Sequence, residues 1–157
     1  MDLTDISILK RLKANSRDSL GNIAEELNIS KATVSRRLSR IEAEGFISGY
    51  SLNTNPAKLG LMKGLVSLQV TGTAVNSVID ELKKYPEIES VMKVFGDHSL
   101  LCSIYTTSVD SLYDLIQARI LKIPGINNVE VDIMIDNVSI NPNAELDMFR
   151  EKLDDQR

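Results

Sequence analysis

Apolar residues in the first fifty positions recur every three to four residues, which is the spacing of amphipathic helices. This pattern predicts three helices, over residues 2–15, 19–27 and 31–44. Asn28 is placed to end the second helix in a left-handed conformation, and Ser30 is placed to cap the third. Two helices joined by so tight a turn indicate a helix-turn-helix.

Beyond Gly45 the pattern changes, and short apolar runs alternate with stretches of helical spacing. Residues 46–55 are predicted as a connecting strand closed by Pro56, and the elements that follow have the order βαββαβ. The predicted strands span residues 65–71, 91–95, 100–106 and 129–140, and the predicted helices span residues 74–85 and 108–123. A short amphipathic helix or tail is predicted over residues 144–157, docked by Leu146, Phe149 and Leu153.

An internal repeat supports this order of elements. Residues 84–91 share Lys, Pro, Ile and Val with residues 122–129, at an offset of 38. In both copies a helix should end before the proline and a strand should begin after it. The duplication predicts an α+β fold with a ferredoxin-like sandwich, in which both helices cover one face of the sheet. The other face needs a cover, most simply a second copy of the chain.

Charge is distributed unevenly along the chain, so the net charge of −4 is misleading as an average. Residues 10–40 hold eight basic and three acidic side chains, an excess of five positive charges. Residues 51–157 hold ten basic and fifteen acidic side chains. A positive excess confined to one segment indicates a surface for a polyanion such as DNA.

The third predicted helix carries most of the candidate chemistry. The side opposite its apolar stripe bears small residues, hydroxyls and guanidinium groups, and it is narrow enough to enter a major groove. Arg36 or Arg40 is suited to bidentate bonds with guanine, whereas Arg17, Lys31 and Arg37 lie where phosphate contact is expected. The candidate DNA-binding residues are Arg17, Ser30, Lys31, Thr33, Ser35, Arg36, Arg37, Ser39 and Arg40. A solvated basic face is the alternative, which the preceding helix, the turn and the charge partition disfavour.

Short motifs recur in a fixed order along residues 1–140. They are LTDISIL (3–9), NSR (15–17), IAEELNIS (23–30), VSRRL (34–38), EGFISGY (44–50), NP (55–56), VFGD (94–97) and IPGI (123–126). As an ordered set they resemble the Lrp/AsnC, or feast/famine, family of transcription regulators. The resemblance implies an N-terminal helix-turn-helix and a C-terminal effector and assembly domain. It also implies homodimers that often associate into octamers, with the linking strand paired across the dimer.

With this resemblance, four segments are expected. They are a helix-turn-helix, winged-helix-like DNA-binding domain (1–50), a linker strand and connector (51–62), a βαββαβ effector-binding and oligomerisation domain (63–142), and a C-terminal tail or short helix (143–157).

The effector site is the place where the chain departs from the family pattern. The resemblance implies that a small molecule, usually an amino acid, binds between dimers at the loop formed by Gly96, Asp97, His98 and Ser99. The family commonly has a second Asp where Ser99 stands, and often has Thr at positions occupied by Val129 and Val131. A buried zwitterion needs partners for both charged ends. These departures therefore favour a different ligand or none.

The sequence thus predicts a cytoplasmic, sequence-specific transcription regulator that binds pseudo-palindromic sites as a dimer or higher oligomer. Its expected partners are double-stranded DNA, copies of itself and a small-molecule effector of undetermined identity. Two alternatives stay open: a weakly specific architectural DNA-binding protein, and a ligand-sensing module that acts through protein partners. No enzyme, cofactor, metal site or membrane span is expected, since no catalytic set converges and the sole Cys102 reads as a buried small hydrophobe.

Overall fold

The computed structural model describes residues 1–155, and these form two compact units. The first unit comprises residues 1–52 together with the segment that begins at Val138. The second unit comprises residues 53–137. The first unit is therefore discontinuous in sequence.

Three helices open the first unit, close to the predicted bounds. They are α1 (Leu3–Ala14), α2 (Leu20–Glu26) and α3 (Lys31–Ala43). Asn28 has φ of 53° between α2 and α3, which confirms the left-handed turn. Ser30 caps α3, because its Oγ accepts a hydrogen bond from the Thr33 amide at 3.1 Å. The helix-turn-helix prediction is confirmed.

The first unit also contains a helix near the C-terminus, α6 (Ala144–Asp154), which follows the two helices of the second unit in the chain. Leu146 is buried against Ile6, Leu9 and Ile41, and Phe149 and Leu153 pack around the same cluster. This patch is separate from the core that holds the three N-terminal helices together, which consists of Ile8, Leu12, Ile23, Ala24 and Val34. The predicted C-terminal helix therefore packs against α1 and α3 rather than remaining a free tail.

The predicted strand over residues 46–55, and with it the linker strand in residues 51–62, is wrong for the single chain. No strand lies between α3 and Met62 in the described chain, and Pro56–Leu59 forms a turn of 3₁₀ helix. Tyr50 and Leu52 are exposed. A strand needs a neighbour to bond its backbone, and residues 46–55 pair with no strand within residues 1–155.

The second unit is a four-stranded antiparallel sheet with two helices. Its elements are β1 (Met62–Val70), α4 (Val75–Leu82), β2 (Ile88–Lys93), β3 (Leu100–Thr106), α5 (Val109–Ala118) and β4 (Ile126–Ile133). The strand order is β2-β3-β1-β4. This confirms the βαββαβ order and the ferredoxin-like class.

Alternate residues of the central strands form the core of this unit. Val66 and Leu68 of β1 and Cys102 and Ile104 of β3 are fully buried, and they pack with residues of α4 and α5. Both helices therefore cover the same sheet face. Burial raises the pKa of the Cys102 thiol to about 11. The prediction that Cys102 is buried is confirmed.

Several element boundaries differ from the predicted ones for identifiable reasons. β4 ends at Ile133 rather than at residue 140, because its partner β1 begins at Met62 and the last backbone bond joins the Met134 amide to the Lys63 carbonyl. β2 lies earlier than predicted, because its register pairs Lys93 with the first residue of β3. The second predicted helix is shortened by a 3₁₀ turn at Ile120–Lys122. The first ends at Leu82, because the amides of Lys84 and Tyr85 bond carbonyls three residues back in a closing turn. Among residues 1–155 no helix is long and apolar enough to cross a membrane.

Candidate nucleic-acid interface

The exposed face of α3 carries the residues that the sequence selected. Ala32, Ser35, Arg36 and Ser39 are solvent-exposed, opposite the fully buried Val34 and Ile41. Two of the predicted hydroxyl groups are already engaged, because the Ser30 and Thr33 side chains bond each other at 2.8 Å. The side chains of Ser35, Arg36 and Ser39 are thus exposed without a hydrogen-bond partner within residues 1–155, whereas the exposed Arg40 is bonded to Asp5.

Carboxylates of the same unit hold five of the eight basic residues in positions 10–40. Lys10 and Lys13 pair with Asp147 and Glu145 of α6, and Arg11 pairs with Asp18 and Glu26. Arg37 and Arg40 pair with acidic residues of α1. Within residues 1–155 no ion pair involves Arg17, Lys31 or Arg36. Three of the eight basic side chains therefore carry no ion pair within the described residues, whereas Arg37 and Arg40 are paired but remain partly exposed.

The pair of arginines on α3 is anchored by the N-terminal capping box of α1. Asp2 and Asp5 exchange backbone-to-carboxylate hydrogen bonds of 3.0 and 2.8 Å. Arg37 Nη1 donates to Asp2 Oδ2 at 2.7 Å and to Asp5 Oδ1 at 2.8 Å, and Arg40 Nη2 donates to Asp5 Oδ2 at 2.6 Å. The two capping carboxylates thus bind both helices at once.

These hydrogen bonds shift the pKa values of Arg37 and Asp2 so that both side chains stay charged. The hydrogen bonds to Asp2 and Asp5 raise the pKa of Arg37, so its charge is fixed at any physiological pH. Desolvation opposes ionisation of Asp2, but the hydrogen bonds from Arg37 and from backbone amides outweigh it and lower the pKa of that carboxyl. Arg36, Arg37 and Arg40 together line a depression of about 230 Å³.

Sequence reasoning missed the two acidic residues of this arrangement. The pattern of α3 alone predicts small residues, hydroxyls and guanidinium groups on its outer face, but in the structure Asp5 of α1 also reaches this surface and accepts a hydrogen bond from Arg40. A signal was present: Asp2 and Asp5 have capping-box spacing, and Arg37 and Arg40 have the same spacing of three.

The predicted effector residues lie in the loop between β2 and β3. His98 Nε2 bonds Glu130 Oε2 of β4 at 2.9 Å, and Ser99 Oγ accepts a 3.3 Å bond from the Val70 amide. Gly96 and Asp97 are exposed. Val129 and Val131 flank Glu130 on β4, and the bond from His98 to Glu130 connects the loop to this strand. Residues 1–155 contain no group of three or more His, Cys, Asp or Glu side chains placed to hold a metal ion.

Two family models match the chain. A winged helix-turn-helix DNA-binding model matches residues 1–48, and the Lrp/AsnC ligand binding domain matches residues 63–144. Between them the two models cover most of the chain, and the unmatched residues 49–62 contain the first boundary between the two units.

Curated relatives match along most of their own length. The transcriptional regulator LrpA of Pyrococcus horikoshii is 30% identical over 141 residues, covering 88% of this chain and 99% of the relative. The transcriptional regulator Ptr1 of Methanocaldococcus jannaschii is 27% identical over 136 residues, covering 86% and 92%.

Solved structures share the fold. The AsnC protein of E. coli superposes with a TM-score of 0.79 at 22% identity, covering 90% of this chain and 96% of that one. A transcriptional regulator of Neisseria meningitidis, solved as a complex with L-methionine, superposes with a TM-score of 0.81 at 20% identity, covering 89% and 93%.

Proposed function

Because this chain belongs to the Lrp/AsnC family of DNA-binding transcription regulators, we propose that it binds pseudo-palindromic duplex sites as a symmetric homodimer. In this proposal α3 lies in the major groove, with Arg36, Ser35 and Ser39 toward the base edges. Arg17 and Lys31 contact phosphates on either side. The observation that carries the proposal is the exposed face of α3, on which Arg36 has no carboxylate partner within residues 1–155.

Selection of bound duplexes from a random pool tests this function directly. The pool should converge on a two-fold symmetric sequence, and affinity should fall steeply with salt because several phosphates are neutralised. Recovery of no consensus, with equal affinity for random DNA, would favour the weakly specific architectural alternative. Absence of DNA binding at low salt would favour a module that acts through protein partners.

Replacement of Arg36 by Ala should weaken binding to the selected site by about 1–3 kcal/mol and relax discrimination at one base position. Loss of a bidentate guanine contact is the physical reason. Lys31→Ala is the matched comparison, since it removes one unpaired positive charge from the same helix but should weaken binding to all sequences equally. Fluorescence anisotropy on the selected duplex and its single-base variants measures both. Uniform weakening by Arg36→Ala would reassign Arg36 to phosphate contact.

The open face of the sheet is the proposed dimer surface. The residues Leu65, Ser67, Gln69, Leu101, Ser103 and Tyr105 alternate with the buried core positions of β1 and β3. They therefore lie on the face that α4 and α5 leave uncovered. This face carries apolar side chains that are only partly buried in the single chain, including Leu65 and Leu101. Burial against a second copy removes them from water.

Leu101→Glu should weaken self-association at least about tenfold, because it places an unpaired charge in the proposed interface. Tyr113→Glu is the control, since Tyr113 is 61% exposed on α5 and lies outside that face. Sedimentation velocity at micromolar concentration measures both variants. Unchanged assembly of Leu101→Glu would move the dimer interface to another surface.

We propose that the loop from Gly96 to Ser99 lines an effector site that does not take a free amino acid. The support is chemical: Ser99 Oγ is bonded to backbone of β1, and Val129 and Val131 offer no hydrogen bonds. Few partners remain for a charged ammonium and carboxylate together. Selection repeated with a mixture of amino acids should therefore return the same sites with the same affinity. A shift in either would contradict this assignment.

A further inference from the structure

The capping box of α1 is built more elaborately than a helix terminus requires. Asp2 is the N-cap and Asp5 the N3 residue of this box, and an N3 side chain normally has only to reach back to the N-cap amide. Here the Asp5 side chain is 0% exposed, and each of its oxygens accepts from a guanidinium of α3. A carboxylate withdrawn from water needs such partners. The burial of Asp5 is therefore tied to the placement of Arg37 and Arg40.

The two arginines keep an outward-facing part despite these bonds. Their side chains remain 25% and 46% exposed, and they line the same depression as Arg36. A guanidinium carries five N–H donors, and the aspartates occupy only one nitrogen of each arginine. Arg37 Nε is itself buried, and Arg40 Nε lies 3.9 Å from Glu44 Oε1. The donors left for an anion are therefore those on the terminal nitrogens, and because each guanidinium is already ordered, binding there would cost little side-chain entropy.

We propose that Asp5 is a positioning residue that determines specificity. It orders Arg37 and Arg40 as phosphate ligands and offsets part of their positive charge. Arg36 is then the arginine of α3 that discriminates between bases. This inference rests on the proposed DNA binding by α3. Guanidiniums fixed by a buried carboxylate cannot turn freely toward base edges. The negative charge of Asp5 also limits the attraction to random DNA, which depends chiefly on phosphate contacts.

Asp5→Asn tests the proposal, because it keeps the shape and an oxygen acceptor but removes the charge. We expect binding to random duplex to become tighter and its salt dependence steeper by up to about one unit of log K per log salt. The ratio of selected-site to random affinity should fall at least about tenfold. Glu42→Gln is the matched control, since it removes one negative charge from α3 but contacts Tyr50 rather than either arginine.

A purely structural role of Asp5 predicts a different pattern. Affinity for selected and random DNA would then fall by the same factor with an unchanged salt slope, and that result would overturn the proposal. A change of equal size in Glu42→Gln would overturn it too, since net charge alone would then explain the effect. Wild-type protein that binds no DNA would instead contradict the proposed function, so the two failures are distinguishable.

A second variant covers the case in which Asp5→Asn does not fold, as judged by circular dichroism. Arg40→Gln leaves Arg37 to pair with Asp5. It should weaken binding to all duplexes equally and reduce the salt slope by about one unit. Relaxed discrimination at one base position in Arg40→Gln would make Arg40 a base-reading residue and overturn the proposal.

Discussion

Inserting five base pairs between the two half-sites of the selected duplex should reduce affinity by about 10²–10⁴-fold. In the proposed dimer, two copies of α3 related by a two-fold axis contact one face of the duplex, about one helical turn or a multiple of it apart. Half a turn of extra DNA moves one half-site to the opposite face. The second copy of α3 then loses its site, and the protein binds through one half only.

A ten-base-pair insertion is the matched control. It restores the angular position of the half-sites and changes only their separation, so affinity should recover in part as far as the dimer and the DNA can adjust. Electrophoretic mobility shift over a protein titration measures both insertions. Equal affinity for the parent and the five-base-pair duplex would mean that each copy binds independently, and the symmetric-dimer mechanism would be wrong.

Leu146→Ala should destabilise the first unit by about 2–5 kcal/mol, because Leu146 is the buried residue of α6 and its removal leaves a cavity against Ile6, Leu9 and Ile41. Amide hydrogen exchange resolves the effect residue by residue. Protection of the α1 and α3 amides should fall at least about tenfold, since each 1.4 kcal/mol is a factor of ten. A single melting temperature is less informative for a chain of two units.

Two controls accompany this variant. Met148→Ala shortens an apolar side chain of the same helix that is 62% exposed, and it should leave protection nearly unchanged. The amides of β1 and β3 provide an internal reference, because Leu146 belongs to the other unit. Unaltered protection of α1 in Leu146→Ala would show that α6 contributes nothing to the stability of the helix-turn-helix.

Local patterns along the chain were sufficient for much of this fold. Ser30 and Asn28 mark the turn before α3 through their own side-chain and backbone preferences. The strand over residues 100–106 was predicted with the bounds that β3 has. The repeat around Pro86 and Pro124 placed β2 and β4 after the two prolines, as observed. These features depend on neighbours within a few residues.

Local patterns do not predict hydrogen bonds and ion pairs between residues that are far apart in the sequence. The bonds from Arg37 and Arg40 to Asp5 span 32 and 35 residues, and the pairing of Lys10 with Asp147 spans 137. No periodicity or spacing reports these distances. The sequence therefore predicts a basic surface and names both Arg36 and Arg40 as candidates for base contact, but it does not reveal that five of the eight basic side chains form ion pairs.

The discontinuity of the first unit has a consequence for how the protein is made. Leu146 is synthesised after all four strands of the sheet, whereas Ile6, Leu9 and Ile41 emerge from the ribosome first. Until α6 is translated, the nascent helix-turn-helix carries an uncovered apolar patch, and Lys10 and Lys13 lack their α6 partners. Exposed apolar surface of this kind invites aggregation and chaperone binding. A translation product that stops before residue 144 therefore has the core of the helix-turn-helix but leaves the apolar patch of Ile6, Leu9 and Ile41 uncovered.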